Sequence, residues 1–193
     1  NSLFREGETD KTINRILGRA IENLKKDLSG SALGQMDLRE ANFSDSNLEE
    51  ADLTKTNFMK ANLKGANLGL ANLTESNLIK ADLSRANLHG TQISKANLQG
   101  AILSHTNLIG AKLDLANFRD ANLSNANLSN SNLSDVNLWK ANLRGANLTN
   151  VDLSNANLQY SNLNKANLKG ADLSRADMAK AKLNSANLDE IIL

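Results

Sequence analysis

Few residues of this 193-residue chain have types that could do chemistry, and their spacing does not combine them. His89 and His105 are its two histidines. A general base or a zinc ligand needs convergent partners, an orienting carboxylate or further His and Cys side chains. The chain has no cysteine, and no carboxylate evidently orients either histidine. Serines are abundant, but they recur with Thr, Asn, Lys and Gly between apolar residues, as turn formers do. Glycines fall at regular intervals and form no phosphate-cradling loop ahead of a helix. No catalytic, cofactor-binding or metal-ligating residue is assigned, and the chain is expected not to be an enzyme.

Bulk composition narrows the classes further. With 22 basic and 21 acidic residues the formal charge is +1. That balance speaks against a nucleic-acid-coating protein and against a polyanion. No apolar run reaches the ~18 residues of a spanning helix. Nothing in NSLFREGETD resembles the apolar region of a signal peptide. A soluble domain is expected, with the cytoplasm slightly favoured. The chain opens on Asn rather than Met, so a piece of a longer protein, even a membrane-anchored one, is also expected. Aromatics are 3%, too few for an ordinary mixed core, and proline is absent. A ladder that uses nearly every backbone N–H would exclude proline.

The elements that would position these side chains follow from one period. ANLSNANLSNSNLSD, residues 121–135, is three five-residue words. From Ser31 to Glu190 the chain divides into 32 such words without insertion or deletion. The third place is Leu, or else Phe43, Phe58, Phe118, Ile93 or Met178. The first place is mostly Ala, otherwise Ser or Thr, with Met36, Val136, Val151 and Ile191 as larger exceptions. The second is mostly Asn or Asp. On an α-helix five residues advance about 500°, so successive leucines would scatter around the axis. On one continuous strand an odd period would send them to alternate faces. Three extended residues and a two-residue corner resolve this. The first and third places then point inward and the second outward, and the chain coils around its leucines. The corners are rich in Ser, Thr, Asn, Lys and Gly. Gly65, Gly90, Gly100, Gly110, Gly145 and Gly170 all take the fifth place, where a positive φ would favour Gly or Asn.

The A-(N/D)-L-x-x words resemble those of the pentapeptide-repeat family over residues 31–193. The resemblance implies an all-β solenoid: a right-handed quadrilateral parallel β-helix, four words per coil and about eight coils. It also implies a cyanobacterial setting and a module that binds other proteins. Some family members mimic DNA and inhibit or protect DNA gyrase. Those carry a strongly negative surface, which this chain lacks.

Ahead of the repeats, residues 1–10 read as a tail or linker and 11–28 as an amphipathic helix. Ile13, Ile16, Leu17, Ala20, Ile21, Leu24 and Leu28 form its apolar stripe. Such a helix would cover the first coil's open edge. Its polar side is mixed in sign, unlike that of a membrane-surface helix. At the other end DEIIL offers no lid. Either further chain or a partner covers it, and end-to-end homodimerisation is the expected partner case.

Four-sided coiling assigns every outward residue to a side, numbered here by Leu33, Leu38, Phe43 and Leu48. Charges over residues 31–190 sum to −2, +2, +3 and −3 on sides one to four. That is a mild polarity across the rod, of a size chance scatter also produces. On this basis direct binding of nucleic acid or an anionic membrane through sides two and three is a weaker alternative. Side two carries Met59, Ile79, Arg119, Trp139, Lys140, Tyr160 and Lys180 on its outer corner, including the only Trp and the only Tyr. Aromatics bracketed by cations resemble the anchors of protein interfaces. A rigid scaffold that presents flat sides to a protein partner is the function expected, with this corner as its candidate surface. Isolated exposed apolar residues would look the same in sequence.

Overall fold

The structure is a computed structural model that describes residues 27–193. Its register is uniform. Each bridge joins a second-place residue to the one twenty positions on, always in parallel, from Asp27↔Asn47 to Asp172↔Ile192. One coil is therefore four words, and the body is a parallel β-helix. The extended part of each word is too short for a multi-residue strand, so every side contributes single bridges rather than long strands.

Hydrogen bonding accounts for the word position by position. Within the ladder, the third-place N–H donates to the second-place carbonyl of the next coil, as Leu103 does to Asn122 at 2.7 Å. The second-place N–H donates back to the first place of the preceding coil, as Asn122 does to Ala101 at 2.9 Å. The fifth-place N–H donates to the fourth-place carbonyl of the next coil, as Asn125 does to Arg144 at 3.0 Å. The first-place N–H closes the turn onto the preceding word's third-place carbonyl, as Ala126 does to Leu123 at 3.1 Å. Only the fourth-place N–H lacks a backbone acceptor, and the Asn or Asp of its own word supplies one. Ser124 N–H donates to Asn122 Oδ1 at 3.1 Å and Ser154 N–H to Asp152 Oδ1 at 2.9 Å. The second place is Asn or Asp because its short side chain satisfies that last donor. With all five donors engaged, no position suits proline.

The turn imposes its own rule. All 33 fifth-place residues from Gly30 to Glu190 have positive φ, 26 of them not glycine, with φ between 53° and 64° in those 26. A positive φ confined to the third residue of a four-residue turn is the type II pattern. No Val, Ile or Thr occupies the fifth place, although Ile79, Ile109 and three threonines occupy the fourth. A β-branched residue is strongly disfavoured at φ > 0.

Inside, the third-place residues are almost fully buried from Leu38 to Leu173. Phe43 and Phe58 meet edge to face, with centroids 5.7 Å apart. Threonine hydroxyls at the first place return to the backbone, Thr56 Oγ1 to Leu33 O at 2.9 Å and Thr91 Oγ1 to Leu68 O at 3.0 Å, whereas the hydroxyls of Ser46, Ser76 and Ser161 are buried without a partner among the described residues. Outside, Asn side chains bond along the stack, Asn87 to Asn67 at 2.8 Å and Asn107 to Asn87 at 3.0 Å.

Two expectations change. The helix expected over 11–28 cannot include its last two residues. Asp27 bridges Asn47, and Leu28 N–H donates to Asn47 O at 2.7 Å. DLSG follows the second to fifth places of the same word, with Leu28 at the third, so the ladder begins earlier than Ser31. The remainder of that helix, and the tail over 1–10, lie outside the described residues. The positive φ expected at the fifth-place glycines is present, but at some of them it is not the whole reason for glycine. Most fifth-place residues take positive φ without being glycine. At Gly145 a Cβ would lie 2.6 Å from Asn125 Oδ1, and at Gly170 2.4 Å from Asn150 Oδ1. Glycine there makes room for the carboxamide one coil below.

Candidate functional site

The outer corner of side two is built from fourth- and fifth-place residues of successive coils. Their backbones are fixed before any side chain acts. Arg119 and Trp139 N–H groups donate to Asn117 Oδ1 and Asn137 Oδ1, each at 3.1 Å. Lys140 and Tyr160 hold positive φ and donate to Gln159 O at 2.9 Å and Ala179 O at 3.0 Å. Side chains that leave so rigid a ladder surrender little backbone entropy on binding.

On this frame five of the seven sequence-selected residues meet. The Arg119 guanidinium carbon and Lys140 Nζ each lie 4.1 Å from the centroid of the Trp139 ring. Two like charges are thus held within twice that distance, by attraction to one π face system. Trp139 and Tyr160 pack edge to face with centroids 6.0 Å apart and planes at 66°. Lys180 Nζ lies 5.0 Å from the Tyr160 ring centroid and donates to its hydroxyl at 3.2 Å. Asp120 accepts from Arg119 Nε at 3.3 Å, an exposed pair of little energetic weight. Lys140 and Lys180 have no ion-pair partner among the described residues. Beside the cluster, Asp177 accepts from Gln159 Nε2 and from Ala179 N–H, and these bonds lower its pKa below the usual carboxylate value.

Met59 and Ile79 stand apart from this cluster. Both are half-buried on the same corner, but Gln99 intervenes along the stack between Ile79 and Arg119. Met59 is four coils from Trp139, about 19 Å at strand spacing. His89 and His105 are exposed at different corners. Among the described residues no group of His, Asp and Glu is placed to hold a metal ion.

Some surface features escaped the sequence reading. Leu70 and Leu115 occupy positive-φ corners at 50% and 53% exposure, and Ile102 replaces Asn on side three. The signal was available: each is an apolar residue at an outward place of its word. Leu70 Cδ2 lies over Gly90, filling the space a Cβ would take.

The repeat itself decides the family. The family model for pentapeptide repeats, eight copies, matches residues 27–65, 66–104, 91–130, 101–139, 131–170 and 152–189. The chain belongs to the pentapeptide-repeat family. Solved structures of other pentapeptide-repeat proteins are similar to it. HetL, involved in heterocyst differentiation regulation in the cyanobacterium Nostoc sp. strain PCC 7120, is 30% identical over 92% of this chain and 93% of its own, with a TM-score of 0.43. The protein alr5209, also from Nostoc, is 33% identical over 53% of this chain and 84% of its own, with a TM-score of 0.29. QnrB1, a plasmid-mediated fluoroquinolone resistance protein, is 18% identical over 72% of this chain and 85% of its own, with a TM-score of 0.40. No curated protein matches the chain. The pentapeptide-repeat body offers β-helix walls and corners. Among the described residues no helix is long and apolar enough to cross a membrane.

Proposed function

We propose that this pentapeptide-repeat protein is a non-enzymatic scaffold that docks another protein through the Arg119–Trp139–Lys140–Tyr160–Lys180 corner. The observation that carries the proposal is the packing of those five side chains into one cluster on a fixed backbone. Trp, Tyr and Arg are the residue types that dominate binding energy at protein interfaces. The mechanism is rigid spacing: the ladder sets groups along each wall at ~4.8 Å intervals. The rod we envisage is right-handed, with about eight coils and an amphipathic cap near its N-terminus. It serves as one module of a longer protein or as a dimer of rods.

The dimer reading has its own support. In the last coil Met178, Leu183 and Ile191 are only partly buried, Leu188 is exposed and Leu193 is 84% exposed. A second copy meeting this end would cover them. Sedimentation at high concentration should then give a dimer, and a monomer would remove that part. A DNA-mimic role has no comparable support: the formal charge is +1 and the most acidic wall, side four, sums only to −3.

The corner is tested with the double variant Trp139→Ala/Tyr160→Ala, used as bait beside the intact rod in extracts of the source cell. The variant should keep its circular dichroism spectrum and lose a protein that the intact rod retains. Equal retention by both baits would refute the corner.

A further inference from the structure

The twenty-residue register shows a charge pattern that whole-side sums conceal. Between Leu138 and Ala171 the only acidic residue is Asp152, on side one. Side three, the wall opposite, and the corners that flank it carry Lys140, Arg144, Lys165, Lys180 and Lys182 over three successive coils. All five side chains are exposed. None has an ion-pair partner among the described residues, whereas Lys55, Lys60 and Lys169 each have one. Their outward neighbours between the two corners are Asn142 and Asn162, neutral amides. At the same height the opposite wall bears Asp135, Asp152 and Asp172 against Arg175. The rod is therefore polarised across its width at one end, and the Trp139–Tyr160 pair edges the positive wall.

We infer that this wall binds an acidic, extended segment of the partner protein, lying across side three from the aromatic corner. The inference rests on the corner being a docking edge and adds the chemistry of what docks. Charge complementarity sets the sign, since a wall of five unpaired cations concentrates carboxylates. Extent sets the class. From Lys140 to Lys180 is two coil steps, about 10 Å, the length of three extended residues. A longer polyanion running down side three and its two corners would meet Asp120, Asp82 and Asp45. The Trp139 ring already holds Arg119 and Lys140 at 4.1 Å, so it is occupied where a nucleobase would stack.

The test titrates the whole chain with a fluorescein-labelled oligoglutamate of about ten residues, long enough to cross the wall. It runs at physiological salt, where distant exposed charges are screened. The triple variant Lys140→Glu/Arg144→Glu/Lys165→Glu should weaken binding about tenfold or more. The control Lys55→Glu/Lys95→Glu/Lys112→Glu makes the same change of net charge on side one and should lose far less. Equal loss in both variants, or no binding by the intact rod, overturns the inference. So does tighter binding of a short DNA duplex or of phosphatidylserine vesicles with the same dependence on the triple. Trp139→Ala/Tyr160→Ala separates the two readings. Peptide binding lost in the triple but intact in this variant keeps the acidic-segment wall and removes the corner as its edge. A captured protein lost with Trp139→Ala/Tyr160→Ala but retained by the triple keeps the corner and removes the acidic segment.

Discussion

The middle coils and the last coil are spelled in the same words but differ in burial. From Ala101 to Leu128 every first- and third-place residue is buried. From Ala176 onward none is. ANL at 126–128 and ANL at 186–188 are identical, yet Leu128 is fully enclosed while Leu188 is exposed. A word therefore acquires its core from the coil above and the coil below, not from its own residues. The same holds for the backbone. Leu128 N–H donates to Asn147 O at 2.8 Å, whereas no coil follows Leu188 in the described chain to accept its N–H.

The largest expected contrast breaks that comparison directly. Leu128→Ala should cost about 2–5 kcal/mol by creating a cavity in a filled layer. Leu188→Ala should cost under about 1 kcal/mol in the isolated rod, because little burial is lost. Urea unfolding of the two variants measures both. If the last coil is covered in a dimer, the second value should rise with protein concentration.

A smaller contrast sharpens the role of the corners. Gly145→Ala and Gly110→Ala place the same side chain at φ 67° and 65°. The first would also press on Asn125 Oδ1, while nothing lies within 4 Å of a Cβ at Gly110. Gly145→Ala should lower the melting temperature more, and Asn125→Ala in the same chain should recover most of the difference. Equal effects would leave backbone strain as the sole cost.

The smallest effect expected is that of pH. Thr54 N–H and then Thr54 Oγ1 donate to Asp52 and lower its pKa below 3.8; Ser174 Oγ and N–H do the same for Asp172. A carboxyl whose folded-state pKa is depressed stabilises the fold above its unfolded value. That contribution fades as pH falls through the folded value. Acidification below about pH 4 should therefore loosen the rod. Asp52→Asn, which keeps an acceptor but removes the charge, should lower neutral stability slightly and flatten the acid dependence. An unchanged acid transition in that variant would place the sensitivity elsewhere.

The inward and outward places of each word were legible because one word repeats and each of its places has one physical job, whereas four words per coil came from the family resemblance. Leucine at the third place and a small residue at the first give the core. Asn or Asp at the second reads as outward and turn-bonding. The fifth place reads as positive φ. What escaped depends on residues twenty apart. Glycine at 145 or 170 looks like a conformational need until Asn125 or Asn150 is seen beneath it. Trp139 and Tyr160 were legible as exposed aromatics among cations. Their edge-to-face contact and the two cations on one ring were not, since rotamers decide them. That Asp27 and Leu28 already belong to the ladder was obscured because Leu28 fits a helical stripe as well as a pentapeptide word.

The central claim is that residues twenty apart are neighbours on one wall. The chain has no cysteine, so engineered pairs report this cleanly. Asn142 Nδ2 donates to Asn122 Oδ1 at 3.2 Å, so Asn122→Cys/Asn142→Cys should oxidise readily to an intramolecular disulfide. Asn122→Cys/Asn132→Cys, which faces opposite walls, should stay reduced. Rapid closure of the second pair, or failure of the first in a folded chain, would contradict the four-word coil on which every surface assignment depends.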